Sequence, residues 1–178
     1  MKLAAGVFVV TLSCSGESLA QVQPGQKIGL VQYLKASYAG ITRDLVAAAE
    51  RMPEADYGFT PSQMPEVRTY GGVIVHTAAA MFGACARVRG IENPVRDVEK
   101  KATTKAEIVK VLAESVAFCD AAFSALTDQS AEYVKQGPVE IPRVAALIGV
   151  LAHNAEMYGI TTVYLRARNL VPPSSDRR

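Results

Sequence analysis

The sequence predicts an all-α four-helix bundle. Three observations point there: four long stretches in which apolar residues recur at three- and four-residue steps, no convincing alternating strand pattern, and one connection long enough to cross a bundle. The first helix runs from about Ile28 to Met52, with Leu30, Leu34, Tyr38, Ile41, Leu45 and Ala48 on one stripe and Lys35, Arg43 and Asp44 off it. The run Met52 to Pro65, MPEADYGFTPSQMP, breaks the helix with its prolines and is anchored as a loop by Tyr57, Phe59 and Met64.

The second helix spans roughly Val67 to Val88. Val75, Ala79, Phe82 and Ala86 form one stripe, with Val73, His76 and Ala80 beside it. Glycines and alanines dominate it, so close packing against other helices, rather than intrinsic propensity, must hold it together. Gly90 and Pro94 end it, and the stretch from Gly90 to Thr103 is long enough to cross the bundle, so that the second and third helices could run parallel. Thr104 followed by Glu107 is a capping box that starts the third helix. Its buried face holds Ile108, Val111, Leu112, Ser115, Phe118, Cys119 and Ala122, and it fades near Ala125 to Asp128. A polar connection with Gly137-Pro138 leads to Pro142, suited to the first turn of the fourth helix. That helix carries Val144, Leu147, Leu151, Tyr158, Thr162 and Leu165 on its core stripe, with His153, Met157 and Tyr164 alongside, and Pro172-Pro173 closes it.

The organisation along the chain follows. Lys2, the apolar run Leu3 to Leu12 and Ser18-Leu19-Ala20 before Gln21 read as an export signal over residues 1–20. The apolar run falls well short of the ~20 residues that cross a bilayer. Lipidation at Cys14 is the alternative processing route, although Thr11-Leu12-Ser13 matches a lipoprotein box poorly. Residues 21–27 form a flexible lead-in and 28–175 the bundle, with no further transmembrane candidate expected. The 19 basic and 17 acidic residues balance to +2 without a Lys/Arg cluster, which argues against a nucleic-acid partner. After cleavage two cysteines remain, Cys85 and Cys119. In an exported protein they either form a disulfide, stapling the second helix to the third, or pack as free small hydrophobes.

His76 and His153 are the only histidines, each inside an apolar helical stretch, and Met157 stands one turn beyond the second. Pointed inward from facing helices, they would gather two imidazoles and a thioether at one spot. Glu156, about 60° around the helix from His153, could add an oxygen. A thioether disfavours zinc and nickel relative to copper. The competing interpretation is that Met157 fills volume against two core histidines. Tyr57, Tyr70, Tyr158 and Tyr164 read as packing, and Arg166 and Arg168 as complements to the helix dipole or solvated side chains. Ser115 and Ser124 lack a partner pattern for a nucleophile.

The segment TYGGVIVHTAAAMFGACA, the TTKAE helix start with its later FCD, and HNAEMYGITTVYLRARNLVPPSS resemble the DinB family of four-helix bundle proteins, over nearly the whole chain after residue 20. The resemblance implies an up-down-down-up topology and a divalent metal held by three histidines, one on the second helix and two at i and i+4 on the fourth. His76 and His153 match two of those positions. Met157 stands at the third, so HxxxH reads HxxxM. The resemblance leaves three function classes open: a metal-dependent thiol S-transferase acting on an unknown small-molecule substrate, a module binding a divalent or copper ion, and a structural or interaction bundle, with a homodimer as the partner the family suggests.

Overall fold

The computed structural model describes residues 25–130 and 132–176. The export-signal reading of residues 1–20, Cys14, and residues 21–24 of the lead-in lie outside the described residues. Among the described residues five α-helices follow one another: α1 (Leu30–Arg51), α2 (Tyr70–Arg89), the single-turn α3 (Val98–Lys101), α4 (Lys105–Ser124) and α5 (Arg143–Ala167). The four long ones are the expected bundle.

Contacts along each pair give the directions. Met81 meets Ser115 and Cys85 meets Cys119, so α2 and α4 run parallel. Tyr38 donates to the Val116 carbonyl at 3.2 Å while Lys105 reaches the Glu50 and Met52 carbonyls, so α1 and α4 are antiparallel. His76 faces His153 and Tyr164 donates to the Arg68 carbonyl, so α2 and α5 are antiparallel. The topology is therefore up-down-down-up, with the α2–α4 connection crossing the bundle as its length allows.

The core divides in two along the bundle. One half gathers Leu45, Met52, Tyr70, Ile74, Leu112, Met157 and Leu165, and the other Leu34, Tyr38, Met81, Phe123, Leu126 and Leu147. Buried tyrosines tie loops and helix ends together through their hydroxyls. Tyr57 and Tyr70 donate to the Ala49 and Ala48 carbonyls, both at 2.6 Å, and burial pushes both phenols far above their usual range. Tyr158 accepts from the Ser174 backbone at 2.9 Å and thereby holds the chain after α5. By length and composition α2 is apolar enough to cross a membrane, but most of that stretch is buried within the bundle.

Cys85 and Cys119 form a disulfide, Cα atoms 5.3 Å apart, that joins α2 to α4. The Thr104–Glu107 capping box is present in both directions, and the backbone and side-chain bonds from Thr104 and Thr103 hold the Glu107 carboxyl down at about 2.

Four expectations need correction. Leu30 is 62% exposed, because the buried stripe of α1 is phased on Val31, Leu34, Tyr38, Leu45 and Ala48. The polar connection before α5 is a β-hairpin, β1 (Tyr133–Gln136) antiparallel to β2 (Val139–Pro142), turning at Gly137 with φ +59°. Most of its residues face solvent, so no apolar alternation marks it. Helix α2 starts at Tyr70 rather than near Val67, because the Thr69 hydroxyl accepts from the Gly72 backbone at 3.1 Å and sets its N-cap there. On α5 the buried face is Leu147, Val150, Asn154, Met157, Tyr158, Thr161 and Leu165, whereas Val144, Leu151 and Thr162 are only partly buried.

Candidate functional site

Helices α2 and α5 pass with the His76 and His153 rings 5.5 Å apart, centroid to centroid, and 62° between their planes. Both side chains sit at the edge of the core, partly buried, where the two antiparallel helices leave their interface. The single turn of α3, inside the crossing connection, presents Glu99 to His76, with Oε1 at 2.8 Å from Nδ1. An ionised carboxylate accepts only, so the proton in that bond belongs to Nδ1 and the Nε2 lone pair of His76 is left for another partner. The Arg68 guanidinium stands 3.4 Å from the same Nδ1.

His153 is held by a different balance. Burial pushes its imidazole below the usual value, the His76 ring adds to the shift, the nearby Glu156 carboxylate opposes it, and Arg68 lowers it further. A neutral imidazole with an available lone pair is thus favoured at this position.

Met157 lies one helical turn past His153, on the same side of α5. It is 8% exposed and packs in the core cluster with Val73, Tyr158 and Tyr164. Glu156 is exposed on α5 and reaches His153 by electrostatics rather than by a hydrogen bond. The structure therefore pairs the two histidines and packs Met157 in the core cluster one helical turn along α5.

Among the described residues no three His, Cys, Asp or Glu side chains converge as a metal cage. The histidine pair is flanked instead by one carboxylate, Glu99, and one guanidinium, Arg68, whose charges offset each other.

Reading the sequence missed two participants, Glu99 and Arg68. Neither lies on an apolar stripe, and Glu99 arrives only because the connection crosses the bundle. A third omission is Asn154. It is fully buried, neither its Oδ1 nor its Nδ2 has a hydrogen-bond partner, and it lines a groove of about 480 Å³ between α2 and α5 that also reaches His153. Its adjacency to His153, in phase with Val150 and Tyr158, was the available signal.

The remaining candidates settle as structural. Ser115 donates to the Leu112 carbonyl at 2.7 Å inside the core. Arg168 pairs with Asp56 and lies over the Phe59 ring, 5.0 Å from its centroid, so it pins the loop after α1 to the end of α5.

Comparison with known proteins places this arrangement. No curated protein sequence matches the chain. Among solved structures, a DinB-like protein from Bacillus cereus superposes with a TM-score of 0.62 at 17% identity, over 79% of this chain and 93% of that one. A DinB-like protein from Bacillus subtilis gives 0.58 at 12% identity, over 77% and 92%. A mycothiol-dependent maleylpyruvate isomerase gives 0.56 at 14% identity, over 74% of this chain and 59% of that one. At these identities the likeness is one of fold. The sequence model of the DinB superfamily matches residues 38–157, from the middle of α1 through both histidines to Met157, and the chain belongs to that superfamily.

Proposed function

We propose that this protein binds a soft transition-metal ion, copper(I) before others, through His76 Nε2, His153 and Met157, as an exported binding module. The observation that carries this reading is the imidazole pair itself: two rings 5.5 Å apart at a steep angle, one with its Nδ1 proton fixed on Glu99. A carboxylate on the far nitrogen is how metal-ligating histidines are commonly oriented, and it raises the basicity of the coordinating nitrogen. All three donors are neutral, a set that suits a soft ion of low charge. Thioether sulfur reinforces the same preference. The disulfide between α2 and α4 agrees with an oxidising compartment.

The test is the metal content of the processed protein isolated from its own compartment, beside copper(I) competition titrations of wild type and the Met157→His variant. One copper per chain in the wild type, with a shift toward zinc or nickel in the variant, is the expected result. Metal in the variant alone would mean that methionine at position 157 does not complete the site, and metal in neither would favour an interaction role.

A second reading, thiol transfer, draws on the fold shared with a mycothiol-dependent isomerase. It would be supported by consumption of a low-molecular-weight thiol that stops in a His153→Ala variant.

A further inference from the structure

We infer that the α2–α5 groove is a binding site for a short peptide-like carboxylate, two or three residues long, with its carboxylate on Arg87 and an amide on Asn154. The groove is lined by Ala80, Gly83, Ala84 and Arg87 from α2, by Ala146, Gly149, Val150, His153 and Asn154 from α5, and by Gln136 from β1. It goes beyond the metal reading and stands apart from it, sharing only the His153 ring at one end.

Three features make it a site rather than a packing fault. The first is Asn154, fully buried at the groove with a donor and an acceptor that no protein group satisfies. Leaving a buried amide unpaired is costly, and the group that satisfies a carboxamide on both edges is another amide. The second is Arg87. It lines the groove in the last turn of α2, and its guanidinium has no hydrogen bond or ion pair among the described residues. A guanidinium offers the fork of donors that matches a carboxylate.

The third is the wall. A Cβ built on Gly83 or on Gly149 meets nothing within 4 Å, so packing does not demand glycine at either position. Each glycine weakens a helix interior relative to alanine, and together they keep the channel open from both sides.

Geometry sets the length of the ligand. Arg87 and Ala80 are seven residues apart on α2, as Ala146 and His153 are on α5, so the groove runs about 10 Å at 1.5 Å per helical residue. Extended chain covers that in about three residues at 3.3–3.6 Å each. Arg87 lies toward one end and Asn154 toward the other.

The test is an NMR titration of the full folded domain with N-acetyl-Ala-Ala, as the free acid and as its C-terminal carboxamide, each with and without EDTA. Saturable shifts at the Asn154 side-chain amide are expected with the acid, and binding about tenfold weaker with the carboxamide, because the charge-assisted pair on Arg87 is gone. Arg87→Ala should show the same loss, and Gly149→Leu, which fills the channel from an unobstructed position, should abolish binding while keeping the helical spectrum. Binding that survives EDTA separates this site from the metal proposal. Absence of saturable shifts, equal affinity for acid and carboxamide, or binding that EDTA removes would each overturn it.

Discussion

Helix α2 turns two unlike faces to its neighbours. Toward α4 it is sealed: Gly71 lies so close that an added Cβ would stand 3.0 Å from the Tyr57 ring and 3.1 Å from Ile108, Phe82 packs on Phe118, and Cys85 is bonded covalently to Cys119. Toward α5 it is open, with Gly83 facing empty space, His76 at the interface edge and an unpaired amide across the groove. One glycine is small because its neighbour is near, the other although nothing is near. The difference teaches that small residues on a helix have two causes, close approach and reserved space, and that only the surroundings tell them apart.

The comparison can be broken in several ways. The largest effect belongs to the sealed face. Replacing Cys85 and Cys119 together by serine should cost roughly 3–4 kcal/mol of stability by the loop-closure argument, given the 34-residue separation they close. Urea unfolding under oxidising conditions checks this, and equal midpoints for wild type and variant would mean that the two helices need no staple. On the open face the sign reverses. Asn154→Leu should raise stability by about 1–3 kcal/mol by removing an unsatisfied buried amide, and a loss instead would show that the amide has a partner in solution.

The glycines sharpen the contrast. Gly71→Ala should destabilise by about 1–3 kcal/mol through overpacking, offset partly by better helix propensity, whereas Gly83→Ala should stabilise by about 0.5–1 kcal/mol. Thermal melts of the pair read out the two faces of one helix in a single experiment.

The smallest effect lies at the end of the sealed interface, where the α4 cap stands. The folded Glu107 carboxyl titrates near 2 against an ordinary 4.5, so the folded state holds fewer protons there and the cap's contribution is complete above about 4.5. It fades as pH falls toward 2. The urea midpoint of a Glu107→Gln variant should therefore lie below wild type at pH 6 and draw level with it only as pH falls through about 2. Thr104→Ala should cost about 1 kcal/mol at neutral pH.

The sealed face was the more legible in sequence. Its features are local or periodic: the Thr104–Glu107 spacing, the stripe Ile108, Leu112, Ser115 and Cys119, and a connection long enough to allow parallel helices. The open face depends on what the fold brings from afar. Glu99 is 23 residues from the histidine it orients, and Arg68 precedes the N-cap of α2. Neither position carries an apolar period, so patterning is silent about both. The hairpin escaped for a related reason, since strands exposed on both sides lack the alternation that burial imposes. His76 and His153 were found because a histidine inside an apolar stripe departs from the rule that governs its neighbours.

The crossing connection has one more consequence. A surface loop ordinarily tolerates insertions and drifts in length. Here the same stretch both reverses the path of the chain and delivers the carboxylate that orients His76, so adding or deleting residues between Gly90 and Thr103 would shift Glu99 out of register even where the bundle still closed. Among relatives, the length of this connection should therefore vary in step with the identity of the residue facing His76.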